Sequence, residues 1–121
     1  MVFKFTVIFV TDNSGGQFVK CIHCYTRTLK GCPPDEVLVS MRVCFPKKKV
    51  RKGILYRGVL VRVASNLICI NGPFWFKYKR NALILLNKRL LPIGTRFKGP
   101  IPAEVRKKQY AKLIAFATII V

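Results

Sequence analysis

Apolar and polar residues alternate over several short segments of this 121-residue chain. The clearest segment is 37–45, where every second residue is apolar and Glu36, Ser40 and Arg42 fall between. Because alternate side chains of a strand point to opposite faces, this pattern predicts a half-buried strand. Segment 59–63 repeats the alternation with three valines and predicts a second strand of the same kind.

Other segments carry different strand patterns. Residues 82–86 form a short continuous apolar run, which predicts a strand buried on both faces. Residues 66–70 and 74–78 can pair across the turn signal Asn71-Gly72, and segment 5–10 also has the composition of a strand. Five or six short strands joined by tight turns favour a mainly β chain and a small closed barrel.

Turn and helix signals lie near both ends of the chain. Residues 12–16 combine Asp, Asn, Ser and two glycines, which predicts a turn that tolerates positive φ. Proline and glycine cluster over 92–102, and Pro102 followed by the glycine-free segment 103–112 predicts a helix. We therefore expect one domain over 1–121, with the barrel in 1–91 and a C-terminal loop and helical appendage in 92–121.

Charge narrows the classes of function. The chain has 23 Lys and Arg against 4 Asp and Glu, a formal charge of +19, and repulsion of this size calls for a polyanionic partner. A hydrophobic content of 51% excludes a disordered basic tail. The longest apolar stretch, 113–121, is far shorter than the ~20 residues that cross a bilayer, so we expect no membrane attachment. A folded, nucleic-acid-binding domain is the favoured class.

No targeting segment is recognisable at the start, and the domain is expected to begin at Met1. Five cysteines without a secretory signal favour a reducing compartment. Cys21 and Cys24 form a C-x-x-C motif that could hold zinc with Cys32 and Cys44. Since the second pair lacks this spacing, we favour structural thiols and no metal, while zinc stays an open alternative.

Candidate catalytic groups are few. One histidine and four carboxylates are present, and none forms a convincing acid–base pair. The chain has neither a P-loop nor a G-x-G-x-x-G motif. We therefore expect no enzyme activity and no cofactor.

Basic residues near aromatic ones are the remaining candidates. Residues 47–52 should form a loop between two strands that can follow a phosphate backbone. Residues 75–80 interleave rings with cations, although packing is favoured for Trp75 itself. The basic residues predicted to bind RNA are Lys47, Lys48, Lys49, Arg51, Lys52, Arg62, Lys77, Lys79 and Arg80.

Several motifs resemble one known family. They are Thr11-Asp12-Asn13-Ser14-Gly15, Val50-Arg51-Lys52-Gly53, Val59-Leu60-Val61-Arg62, Asn81-Ala82-Leu83-Ile84-Leu85, Pro92-Ile93-Gly94-Thr95-Arg96 and Gly99-Pro100. Their order over about residues 10–114 resembles the universal large-subunit ribosomal protein L-fourteen family. The resemblance implies a five-stranded β-barrel with a C-terminal loop and short α-helices.

The resemblance also implies function and partners. A protein of this family is a structural constituent of the large ribosomal subunit, bound to large-subunit rRNA at the inter-subunit face. Its further partners would be neighbouring large-subunit proteins, small-subunit rRNA across an inter-subunit bridge, and a ribosome-silencing factor. By motif, Asn13 and Ser14 would lie in the N-terminal turn and bind RNA. Thr95, Arg96 and Lys112 would form an exposed protein-contact surface. A docking platform for an assembly or silencing factor is the alternative function.

Two departures from the family pattern concern the lysine-rich loop, where Lys48 replaces the usual Gly and Ile54 the usual Asp. A third adds one residue before Tyr78, so we expect altered RNA contacts on an unaltered fold. Abundant Phe, Ile and Lys suggest an AT-rich genome and favour an organelle-encoded protein of the mitochondrial ribosome. A bacterial or plastid origin is the alternative.

Overall fold

The computed structural model describes residues 2–26, 31–64, 67–70, 74–103, 105 and 110–120. Five strands form a closed barrel in the order β1 Val7–Val10, β2 Gly16–Cys24, β3 Glu36–Cys44, β4 Leu55–Arg62 and β7 Ala82–Leu86. The remaining elements are the hairpin of β5 Leu67–Ile70 and β6 Phe74–Lys77, the parallel pair β8 Pro100–Ile101 and β9 Ile119–Ile120, and helix α1 Ala111–Ala115.

The barrel is closed by its first and last strands. β1 pairs with β2 in antiparallel orientation and with β7 in parallel orientation, where Phe9 lies opposite Ala82 and Val10 opposite Leu83. Closure removes the unpaired edges that an open sheet would expose. The predicted small closed barrel of five strands is confirmed.

Alternation along β3 places one face of the strand in the barrel interior. Val37, Val39 and Met41 are buried, while Leu38 and Ser40 between them are partly exposed. The prediction of a half-buried strand is therefore confirmed over most of its length. The interior is an apolar cluster that also contains Ile8, Val10, Val19, Cys21, Leu60, Leu83 and Leu85.

Strand β7 and residues 58–61 of β4 are buried on both faces. For β7 this was predicted, but the half-buried prediction for 59–63 is wrong, since Val59, Leu60 and Val61 are all buried. The reason is a second apolar cluster on the outside of these two strands. The C-terminal segment supplies its outer layer, including Phe97 and Leu113.

The helix in the C-terminal segment differs from its prediction. Ala103 and Val105 have 3₁₀ geometry, and α1 begins only at Ala111. Residue 104 and residues 106–109 lie outside the described part. A short helix depends on tertiary packing, and the buried Leu113 supplies it here. No helix in the described ranges has the length and apolar character needed to cross a membrane.

Candidate nucleic-acid interface

Three connections meet at one end of the barrel, called here the loop end. They are the β1–β2 turn, residues 11–15, the β3–β4 loop, residues 45–54, and the segment 87–97 after β7. They share this end because β1 is antiparallel to β2 and parallel to β7, and β3 is antiparallel to β4. The topology therefore brings together residues that lie far apart in sequence.

Asn13 joins the first and third of these connections. Its Oδ1 accepts hydrogen bonds from the backbone N–H of Thr95 at 2.7 Å and of Arg96 at 3.2 Å, and its Nδ2 donates to Thr95 Oγ1 at 3.1 Å. Its own N–H donates to the Arg96 carbonyl at 3.2 Å. Asn13, predicted to bind RNA, and Thr95 and Arg96, predicted to bind protein, thus form one exposed surface.

Ser14 lies beneath this surface, with only 1% of its area exposed. Its hydroxyl and its backbone N–H both donate to Asp12 Oδ1. Asp12 Oδ2 accepts from the Leu85 N–H at 3.2 Å, so the carboxyl links the turn to β7. The prediction that Ser14 contacts RNA does not fit this placement, because its polar group is used inside the turn. Burial raises the pKa of Asp12 above 3.8 although these hydrogen bonds favour its ionised form.

The β3–β4 loop presents the largest cluster of predicted cations. Val50 is buried within the loop, and the Gly53 N–H donates to the Met41 carbonyl at 2.9 Å, which fixes the loop to the barrel. We call its basic residues the lysine loop; all of them are exposed, and they are Lys47, Lys48, Lys49, Arg51 and Lys52.

The lysine loop packs directly on the β1–β2 turn. Gly15 has a φ of +106°, and a Cβ there would lie 2.3 Å from the Cβ of Lys48, so only glycine allows this approach. The Phe45 N–H donates to the Gly15 carbonyl at 2.8 Å. Asn13 and Lys48 consequently line a common groove of about 430 Å³.

The other predicted cations lie at the opposite end of the barrel. Lys77, Lys79 and Arg80 are exposed there. Arg62 is partly buried, and its Nη2 donates to the Lys98 carbonyl at 3.1 Å. Burial lowers the pKa of Arg62. This arginine therefore holds the C-terminal segment against β4, and the predicted RNA-binding residues fall into two separate groups.

The predicted interleaving of rings and cations in 75–80 is only partly present. Tyr78 is buried, so its ring does not offer an exposed stacking surface. It lines a pocket with Phe9 and Arg62 instead. The side chain of Trp75 lies outside the described ones, and the predicted packing of that residue is not addressed by the structure.

Sequence reasoning missed three exposed cations at the loop end and its groove. Lys88 and Arg89 lie in the turn after β7, where Asn87 Oδ1 accepts from the N–H groups of Arg89 and Leu91 at 2.9 and 3.0 Å. Lys98 lines the groove beside Asn13. A basic turn directly after a buried strand was a usable signal for the first two, whereas the position of Lys98 depends on long-range contacts.

Lys112 is exposed on α1. The residues after this helix contact the segment that carries Thr95 and Arg96, since the rings of Phe97 and Phe116 lie 6.1 Å apart and Thr118 Oγ1 donates to the Phe97 carbonyl at 3.4 Å. The segment that follows helix α1, which carries Lys112, is therefore in contact with Phe97, the residue next to Arg96.

Two of the cysteines, Cys21 and Cys24, are buried thiols. The sulfur atoms of Cys21 and Cys24 lie 3.8 Å apart on β2. Burial, together with the neighbouring Cys24 thiol, raises the pKa of the Cys21 thiol to about 12. Cys32 and Cys44 are partly exposed. Among the described residues, His, Cys, Asp and Glu side chains form no group of three or more that could hold a metal ion.

Comparison with protein families identifies the family of the chain. The family model described as Ribosomal protein L14p/L23e covers residues 1–121, the whole of the chain. The match includes every part of the loop end and both groups of predicted RNA-binding residues.

Proposed function

The chain belongs to the Ribosomal protein L14p/L23e family, whose members are structural, rRNA-binding proteins of the large ribosomal subunit, and we propose that the lysine loop is its principal rRNA contact. The observation that supports this proposal is the lysine loop. It holds five exposed cations on a loop fixed by Val50 and Gly53, and within the described ranges none of them forms an ion pair with a carboxylate.

The contact would act through the RNA backbone. Each Lys or Arg that neutralises a phosphate releases counterions, which gives affinity without reading sequence. Helical RNA hides its base edges in a deep, narrow groove, so the barrel would recognise the shape of a folded rRNA segment. Asn13 and Gly15 hold the neighbouring turns, so that the cations are presented in a fixed arrangement.

A charge-removal experiment tests this role. Lys47, Lys48, Lys49, Arg51 and Lys52 are replaced together by Gln, and a comparison variant carries Gln at Lys77, Lys79 and Arg80. Sedimentation should show that the first variant incorporates poorly into large subunits. Its affinity for large-subunit rRNA should also depend less on salt, by roughly one unit of slope for each phosphate that is no longer neutralised. Full incorporation with an unchanged slope would exclude the lysine loop as the anchor.

A second role is proposed for the surface of Thr95, Arg96 and Lys112. It is a docking surface for a ribosome-silencing factor and a contact across the inter-subunit bridge to small-subunit rRNA. The support for it is that Thr95 and Arg96 are exposed while Asn13 holds their backbone. Arg96→Ala should leave large-subunit incorporation intact and weaken subunit joining or factor binding. Unchanged joining and factor binding would contradict this role.

The ribosome is proposed to be mitochondrial, with a bacterial or plastid ribosome as the alternative. The support is compositional: 4 acidic residues in 121, nine phenylalanines and many lysines. Mass spectrometry of purified mitochondrial large subunits should identify the chain. Its recovery from plastid or bacterial subunits would contradict the mitochondrial assignment.

A further inference from the structure

The outer surface of strands β1 to β3 carries a row of exposed apolar side chains. Phe9 lies opposite Phe18, and Phe18 opposite Val43, so the row crosses three neighbouring strands. Phe18, Val43 and Phe45 are 37%, 45% and 53% exposed. Val7, on the same side of β1 as Phe9, is 57% exposed. We call these five residues the aromatic face.

The aromatic face includes a groove as well as a row. Phe9, Phe18 and Phe45 line the same groove of about 430 Å³ that contains Lys48 and Lys98. Contiguous exposed apolar surface of this kind marks an interaction site in soluble proteins. The described part of the chain leaves this groove open, whereas it covers the outside of β4 and β7 with its C-terminal segment.

We propose that the aromatic face docks a protein segment that carries both apolar side chains and carboxylates. Charge complementarity supports the carboxylates, because cations outside the lysine loop border the face: Lys20 lies opposite Val7, and Lys98 lines the groove. The acidic residues of the described ranges are Asp12, which is buried, and Asp35 and Glu36, which lie at the start of β3. An acidic partner would balance a charge that this face does not balance itself.

The nature of the apolar residues favours protein over RNA. Stacking of bases requires open ring faces. The rings of Phe9 and Phe18 contact each other edge to face at 5.5 Å. Nearby, Lys20 Nζ lies 5.2 Å above the Phe5 ring centroid. Val7 and Val43 have no ring, yet they make up part of the exposed row. A second copy of the chain is disfavoured because each copy carries a charge of +19.

Photo-cross-linking in assembled large subunits tests the proposal. Phe18 is replaced by p-benzoylphenylalanine in the full chain, subunits are purified and irradiated, and the cross-linked product is identified. The expected product is one protein segment rich in apolar residues with Asp or Glu among them. A cross-link to rRNA, a cross-link to a second copy, or the absence of any cross-link would overturn the proposal.

Charge substitution provides an independent measurement. The partner identified by cross-linking is then quantified in large subunits that contain a charged variant of the chain. Phe18→Lys, or Val43→Lys if the first variant folds poorly, should lower the amount of bound partner at least about tenfold, because a cation then enters the apolar contact. Ile119→Lys is the matched control, since Ile119 is exposed to 55% on a different surface, and it should retain the partner. Equal loss in both variants, or no loss in either, would contradict docking here. Incorporation of the Phe18→Lys chain into large subunits should be unchanged. That result would distinguish loss of the protein partner from loss of the rRNA contact made by the lysine loop.

Discussion

The two outer walls of the barrel carry similar apolar residues and have different environments. Outside β4 and β7, Val59, Val61 and Ile84 are fully buried beneath the C-terminal segment. Outside β1 to β3, Phe18 and Val43 are exposed. An apolar outward position therefore signals a contact without telling whether the same chain or a partner supplies it.

The strongest test of this difference is a pair of Phe→Ala substitutions. Phe97 is 2% exposed in the covering layer, and Phe97→Ala should destabilise the fold by about 3–5 kcal/mol because it leaves a cavity. Phe18→Ala on the aromatic face should change the free energy of unfolding by less than about 1 kcal/mol. Urea denaturation of both variants measures the difference. Equal losses would mean that Phe18 is part of the core in solution.

A glycine pair tests how the covering segment is attached. Gly99 has a φ of +82°, and a Cβ there would lie 2.3 Å from Arg62 Nη1. Gly53 has a φ of +81° with no atom within 4 Å of such a Cβ. Alanine at either position must adopt a left-handed backbone conformation, which costs about 1–2 kcal/mol. Only Gly99→Ala also displaces the Arg62 side chain. Thermal unfolding should rank Gly99→Ala as more damaging, and the reverse ranking would contradict the attachment.

Asn13 tests the connection between the β1–β2 turn and the covering segment. Asn13→Ala removes three side-chain hydrogen bonds and should cost about 1–2 kcal/mol, with faster amide exchange at Thr95 and Arg96. Asn13→Asp keeps the acceptor for both N–H groups and should preserve most of the protection. Unchanged exchange in the Ala variant would show that the segment is held by other contacts.

The smallest expected effect is the pH dependence caused by Asp12. Because burial raises its folded pKa above 3.8, its contribution to stability is fully present below the unfolded pKa and is lost as pH rises through the folded value. The free energy of unfolding of the wild type minus that of Asp12→Asn should therefore fall from about pH 3 towards neutrality. Denaturation curves at several pH values measure this difference, and a rise would contradict the predicted sign.

Local patterns predicted much of the fold. The alternation in β3, the continuous apolar run of β7 and the pairing of β5 with β6 depend on neighbouring residues, and the structure confirms each. Burial of β4 on both faces was missed, because it depends on Phe97 and Leu113, which are distant in sequence. Of the predicted helix 103–112, Ala103 and Val105 are 3₁₀ and α1 begins at Ala111, where Leu113 packs into the second apolar cluster, while residues 104 and 106–109 lie outside the described part.

The candidate site was less predictable than the fold. Exposed cations such as Lys48 and Lys52 follow from a charged loop between two strands. The contact of Asn13 with Thr95 spans 82 residues, and no spacing in the sequence indicates it. The sequence does not show that Ser14 is buried, because Asp12, its hydrogen-bond partner, becomes buried only when β7 completes the barrel.

The parallel seam between β1 and β7 has a consequence for how the chain is made. Thr11 Oγ1 donates to the Leu83 carbonyl across 72 residues. β1, the first strand to be synthesised, therefore cannot pair with β7 until most of the chain has been made. Until then β1 and β4 both have open edges, which can pair with other chains. The nascent protein therefore needs protection from aggregation until residue 86 has been synthesised and the seam can form.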